Sequence, residues 1–317
     1  MIDNLVFSLN ATLPIFIVMV LGYLLKKFKL INQPIADGIN KLVFRVFLPA
    51  LLFYDLSEQD FLNIWDSKFV LFCMLSTIIS IFISALLAKI FCKNCDKGEF
   101  IQASFRSAAA TLGIVFMTNV YDNVAMVSLM IIGSVPIYNV VSVILLSLTS
   151  KETASNENFG KTLKKTLFNL VTNPIILGIL AGFLFSLLPF KMPKIIDKSV
   201  SYLANVASPL ALIGLGASFE FSNIKENSRA LSLVIFNKLV LFCLMFLPVC
   251  VLLGFRDEKI VAALIMLGTA TTSSSFIMAK NMGHDGKLSC AAVMVTTLLS
   301  SFTLTFWLFV LRTMGFI

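Results

Sequence analysis

Three basic residues, Arg45, Arg106 and Lys238, fall inside long apolar runs of this chain. A charge inside such a run costs roughly 2.5–3.5 kcal/mol at mid-span, so each is a candidate for function. Arg106 precedes a run of small residues, Ala108 to Gly113, and could attract an anion or reach to the surface. Arg45 and Lys238 read as side chains that reach to the interface or pair structurally. A second run of small and hydroxyl residues, Gly268 to Ser275, lies far downstream in LGTATTSSSFIMAKN. Small side chains permit close backbone approach, and hydroxyls can satisfy backbone groups freed by an interrupted helix. Helix ends freed in this way bind ions: N–H groups face an anion, carbonyls face a cation. The predicted site is therefore Thr111, Leu112, Gly113, Thr271, Thr272 and Ser273, with Arg106 as electrostatic aid and Asn139 as a polar neutral candidate. Asn40, Asn119, Asn205 and Asn237 read as hydrogen-bonding links between helices. Pro49 and Pro209, each mid-span, are expected to kink or break their helices.

Other chemistry is poorly represented. No Asp or Glu is expected near the middle of a span, which argues against a carboxylate-driven proton or sodium exchanger. His284, the single histidine, reads as a solvated loop residue, and one histidine does not make a metal site. The six cysteines read as free thiols, and the single CxxC at Cys92 and Cys95 is weak evidence for a metal. No nucleophile triad, phosphate loop or dinucleotide fingerprint is present, so neither an enzyme nor a cofactor is expected.

The elements that must position these residues follow from composition. The 317 residues are 58% hydrophobic and 13% charged. A soluble domain carries about 25% charged residues, so the expected solvent is a lipid bilayer. Apolar runs predict ten spans, near 5–25, 37–56, 69–91, 100–120, 124–148, 166–188, 199–219, 230–254, 259–280 and 288–311. The N-terminal stretch is too long and too acidic at Asp3 for a signal peptide and reads as the first span. The net charge of +8 sits in short loops, where it sets orientation, and nucleic acid is not an expected partner. With the N-terminus outside, inner loops carry fifteen Lys and Arg against seven in the outer loops, which places both termini outside a plasma membrane.

An offset of 160 residues pairs Pro14 with Pro174, Pro49 with Pro209, Gly22 with Gly182, and Ala110-Thr111 with Ala270-Thr271. Five spans per copy is an odd number, so the second copy would enter the membrane upside down. The expected organisation is a first repeat (1–148), a cytoplasmic linker (149–165) and a second, inverted repeat (166–317).

The segments NKLVFRVFLPALLF, SFRSAAATLG, GSVPIYNVVSV, TNPIILGILAG, SPLALIGLGA and TTLLSSFTLTFWL occur in that order along the chain. As a set they resemble the auxin efflux carrier family, including bacterial members of malonate type. The resemblance implies an all-α membrane protein of ten helices in two inverted five-helix repeats, similar to bile-acid symporters and sodium/proton antiporters. It implies scaffold and transport domains drawn from both repeats, with broken helices 4 and 9 crossing at the site. It also implies a secondary carrier that exports a small organic anion by elevator-type alternating access. Sodium-coupled import on the same scaffold and a non-transporting receptor or channel are the alternatives. Coupling to H⁺ or Na⁺ and a homodimer stay open. In two respects the chain departs from the family: Ala108 stands where members carry Asn, and neither 107–115 nor 268–276 contains proline.

Overall fold

Helix α4 (Ser67–Phe91) shows which solvent this chain is built for. Its exposed face carries Leu71, Leu75, Ile78 and Phe82, while Ser76, Ser80 and Ser84 are buried. Each buried hydroxyl donates to the carbonyl four residues back, at 2.7 Å. A helix in water would put these groups the other way round. In hydrocarbon the apolar face is the solvated one, and polar groups must be satisfied within the fold.

The computed structural model describes residues 2–57, 65–92, 96–109, 117, 121, 125–150, 168, 172–188 and 192–317. Every regular element among them is helical. In chain order, α1 is Ile2–Lys27, and α2 (Gln33–Leu42) continues through a π turn (Val43–Phe47) into α3 (Leu48–Ser57). After α4 come α5 (Lys97–Phe105), α6 (Ala125–Thr149), α7 (Pro174–Ser186), α8 (Lys194–Ser218) and the short α9 (Phe221–Glu226). Helix α10 (Ser228–Phe236) runs through a second π turn (Asn237–Leu241) into α11 (Phe242–Leu252). Helices α12 (Asp257–Gly268), α13 (Ser273–Asn281) and α14 (Lys287–Thr313) complete the fold.

Among the described residues, six helical stretches are long and apolar enough to cross a membrane: Ser67–Phe91, Met126–Thr149, Lys194–Ser218, Ser228–Leu252, Asp257–Asn281 and Lys287–Thr313. Four helix starts are fixed by side-chain caps. Asn32, Asp66, Asp96 and Asn173 accept from the N–H groups of Ile35, Phe69, Glu99 and Ile175, respectively. Pro174 follows Asn173 at the first position of α7, where its missing N–H costs nothing.

Two interruptions define the centre. Helix α5 stops at Phe105 and residues 106–108 are not helical; α12 stops at Gly268 and α13 starts at Ser273. The expected breaks at Pro49 and Pro209 are not found there. Helix α8 runs unbroken through Pro209, and Pro49 lies at the start of α3 just after the π turn. In both cases the neighbouring helix turns continue around the ring, so the distortion stays local.

Helix pairs approach closely through glycine. A Cβ on Gly22 would stand 2.3 Å from the Ile213 carbonyl oxygen, and one on Gly182 would stand 2.6 Å from that of Phe53. Gly178 meets Pro49 and Gly216 meets Met19 in the same way. Thus α1 lies against α8, and α3 against α7, at backbone distance. Gly216→Ala, whose Cβ would lie 1.9 Å from the Met19 carbonyl, is expected to destabilise by about 1–3 kcal/mol. Gly38→Ala, on an exposed helical position with open space, should stabilise by about 0.5–1 kcal/mol. Thermal unfolding of the two variants in detergent separates close packing from a general intolerance of substitution.

Candidate functional site

The two interruptions touch. The Ala108 N–H donates to the Ala270 carbonyl at 2.9 Å, and the Ser107 and Thr269 hydroxyls are hydrogen-bonded. Around this contact, freed groups are taken up by side chains from the opposite strand. Thr271 Oγ1 donates to the Ala103 carbonyl at 2.7 Å, and its own N–H is accepted by Thr296 Oγ1 at 3.0 Å. Gln102 Nε2 donates to the Ser275 carbonyl at 2.8 Å. Lys238, 1% exposed, reaches in from its π turn and donates from Nζ to the carbonyls of Leu267 (3.0 Å) and Met266 (3.4 Å).

Arg106 stands at the C-cap of α5, in extended conformation, and its side chain is buried. One terminal nitrogen donates to Asn139 Oδ1 at 2.9 Å and to Ser274 Oγ at 2.8 Å; the other contacts Met278 Sδ. Its Nε has no partner among the described residues. The guanidinium is thus held by neutral dipoles, with no carboxylate bonded to it among the described residues. Ser274 belongs to the first turn of α13, whose free N–H groups carry partial positive charge.

A cavity of about 270 Å³ opens at this point. Arg106, Ser107, Asn139, Thr272, Ser273 and Ser274 form its polar wall. Leu48, Leu51, Leu52 and Asp55 form a stripe on α3 opposite, joined by Val135, Tyr138, Ile175 and Ser208. The stripe follows helical spacing, so the cavity extends about 10 Å along α3.

Of the expected site residues, Arg106, Asn139, Thr272 and Ser273 meet at this cavity. Thr271 is tied to backbone and lines only a small adjoining void of about 30 Å³. Thr111, Leu112 and Gly113 lie outside the described residues. Ser274 and Tyr138 were not anticipated, although each adjoins a residue that was.

Two readings of the chain gain detail, on acids and on buried bases, and two need correction, on cysteines and on His284. Asp55 lies near the end of α3, where no mid-span acid was expected, yet it lines the cavity wall. Glu99 is also buried, and accepts from the N–H groups of Gly286 and Ser289 at 2.8 Å each, capping α14. Lys238 is held structurally, by backbone carbonyls and not at the surface; Arg45, in the other π turn, is exposed. Cys92 is disulfide-bonded, whereas Cys73, Cys243, Cys250 and Cys290 are free and buried. Lastly, His284 is buried: Nδ1 lies 2.6 Å from Asp96 Oδ2 and Nε2 lies 2.9 Å from the Leu146 carbonyl.

Asp96, Glu99 and His284 bring three ligand-type atoms within 4.8 Å of one another. Both Glu99 oxygens and both His284 nitrogens already have partners, so the group works as a clamp joining the starts of α5 and α14 to the end of α6. With an acceptor at each nitrogen, His284 is suited to the doubly protonated form.

A cavity where two chain interruptions meet, in a fold of long apolar helices, is the arrangement expected of a membrane transporter. The chain belongs to the membrane transport protein family, that of the auxin efflux carriers, whose model matches residues 7–308. It is a multi-pass membrane protein. It is 22% identical to an uncharacterized transporter of Methanothermobacter thermautotrophicus, over 96% of this chain and 98% of that protein. It is 27% identical to a protein of Rhizobium meliloti named "Putative malonate transporter", over 44% of each chain.

Burial lowers the pKa of His284, but the Asp96 carboxylate and the Leu146 carbonyl outweigh this and hold it above its ordinary 6.5. The charged clamp therefore stabilises the fold fully below about pH 6.5, and its contribution is lost as pH rises through the raised value. His284→Gln should lower stability by about 1–3 kcal/mol at pH 6 and by less at pH 9. Melting temperature across that range checks this: parallel curves for the two proteins would refute the charged clamp.

Proposed function

We propose that this protein is a secondary carrier that exports a small organic anion across the plasma membrane by elevator-type alternating access. The observation that carries the reading is the Arg106 guanidinium, buried in a cavity beside the first turn of α13 and held, among the described residues, only by neutral groups. A buried cation without an acid partner is costly, and a bound anion would offset that cost. The N–H groups of α13 would add to the attraction, as at other helix N-termini. Asn139 and Ser274 fix the guanidinium plane, and Thr272 and Ser273 supply hydroxyls along the wall. A volume of about 270 Å³ suits a small molecule. The name of the Rhizobium meliloti relative fits a carboxylate substrate.

The architecture we propose is ten spans in two inverted repeats, 1–148 and 166–317, joined by the linker 149–165, with both termini outside. Close packing supports it. The 160-residue offset carries Gly22 onto Gly182 and Phe53 onto Ile213, and these four residues form two contacts, Gly22 with Ile213 and Gly182 with Phe53. A two-fold relation between the halves would produce this exchange of partners. Segments related by the offset would also meet at such an axis, and Ala108, which the offset carries to Gly268, donates to Ala270. The frame formed by α1, α3, α7 and α8 would serve as scaffold, with the crossing carried past it by the remaining spans.

Thermal-shift screening of mono- and dicarboxylates, malonate included, should find a ligand that raises the melting temperature of the purified protein. Arg106→Gln should remove that shift and lower transport of the same ligand into proteoliposomes by about 10- to 100-fold, while expression persists. Arg106→Lys, which keeps charge but loses the fork, should fall between. Unchanged flux in Arg106→Gln would take Arg106 out of the site.

A further inference from the structure

Lys238 does not line the cavity, yet it is among the most completely buried large side chains of the protein. Its amine points at the last turn of α12, where the helix is interrupted inside the membrane. The last four carbonyls of any helix lack partners within it, and together they carry about half a negative charge. In carriers with interrupted helices, such carbonyls are the groups that coordinate Na⁺. Here the neighbouring carbonyls have found protein partners. That of Ile265 accepts from the Thr269 N–H, and that of Ala270 from the Ala108 N–H. Of the last four carbonyls of α12, those of Met266, Leu267 and Gly268 remain, and Lys238 Nζ stands 3.4 and 3.0 Å from the first two.

The local backbone is arranged to bring the amine there. The π turn Asn237–Leu241 places Lys238 on the inner face, and Trp307 Nε1 donates to the Leu239 carbonyl at 3.1 Å, satisfying a carbonyl of the same turn. Cys243, free and buried, packs against the Gly268 position at the end of α12 and offers no oxygen to a hard cation.

We infer that the Lys238 amine occupies the carbonyl site at the end of α12 that a coupling Na⁺ would need, so that this carrier cycles without Na⁺ at its crossing. The amine is compact and has three donors in place of the metal's charge. The inference does not depend on which anion is carried, or on whether Arg106 binds it.

The test uses no organic ligand. Wild type, Lys238→Ala and Lys238→Arg are unfolded thermally in NaCl, KCl and choline chloride at equal ionic strength. Wild type should melt at the same temperature in all three salts. Lys238→Ala should melt several degrees lower in choline and recover saturably as Na⁺ or K⁺ replaces it. Lys238→Arg, which keeps a donor group at the carbonyls, should stay close to wild type and indifferent to Na⁺. A Na⁺-specific stabilisation of wild type would overturn the inference, and this arm stands even if Lys238→Ala cannot be purified. A Lys238→Ala protein that melts like wild type in choline, or that is destabilised with no recovery in either cation, would overturn it equally.

Discussion

Backbone groups released inside a membrane have no water to turn to, and the centre of this protein is a solution to that constraint. Two chain interruptions lie against each other, and each supplies partners for the other. The Ala108–Ala270 backbone bond, the Thr271 hydroxyl on Ala103 and the Gln102 amide on Ser275 all run between them. The π turn of Lys238 and the hydroxyl of Thr296 supply the rest from adjacent spans. Because these bonds consume the backbone groups, Arg106 is left with only Asn139, Ser274 and a sulfur. That residual capacity is what makes the cavity chemically interesting.

The same constraint governs the packing outside the centre. Burial of apolar area drives little association between helices already in hydrocarbon, so close approach and internal hydrogen bonds must do it. Glycine at 22, 178, 182 and 216 brings backbones together, and the serines of α4 return their hydroxyls to their own helix. These choices place polar and small residues inside and large apolar residues outside.

Much of the frame could be read from the amino acids. The apolar runs locate the helices, and the small and hydroxyl residues of 268–275 locate one stop, because such residues both tolerate and satisfy an interruption; the run expected at the other, Ala108 to Gly113, lies mostly outside the described residues, and the non-helical stretch found there is 106–108. Arg106, Asn139, Thr272 and Ser273 followed from that logic. What escaped was whatever depends on a partner distant in sequence. Lys238 bonds to main-chain carbonyls of α12, which carry no side-chain signature. His284 resembles any polar loop residue until Asp96 and Leu146 are placed around it. Asp55 looks like the end of a span, and only the cavity shape brings it into play. The prolines misled because a ring in a helix tells of a missing bond, not of a stop; the π turns that do distort the spans contain no proline.

A π turn holds one residue more than the α turn it replaces, and that surplus rotates everything beyond it by about 100° about the helix axis. In the span from Ser228 to Leu252 the two halves therefore show different faces to the protein. Such a turn is what a single inserted codon leaves behind when the helices on both sides keep their places. Removing one residue from Leu239 to Leu241 would restore the α ladder and change how Lys238 is set against the second half of the span, so this span's register is tied to the interior rather than to its own ends.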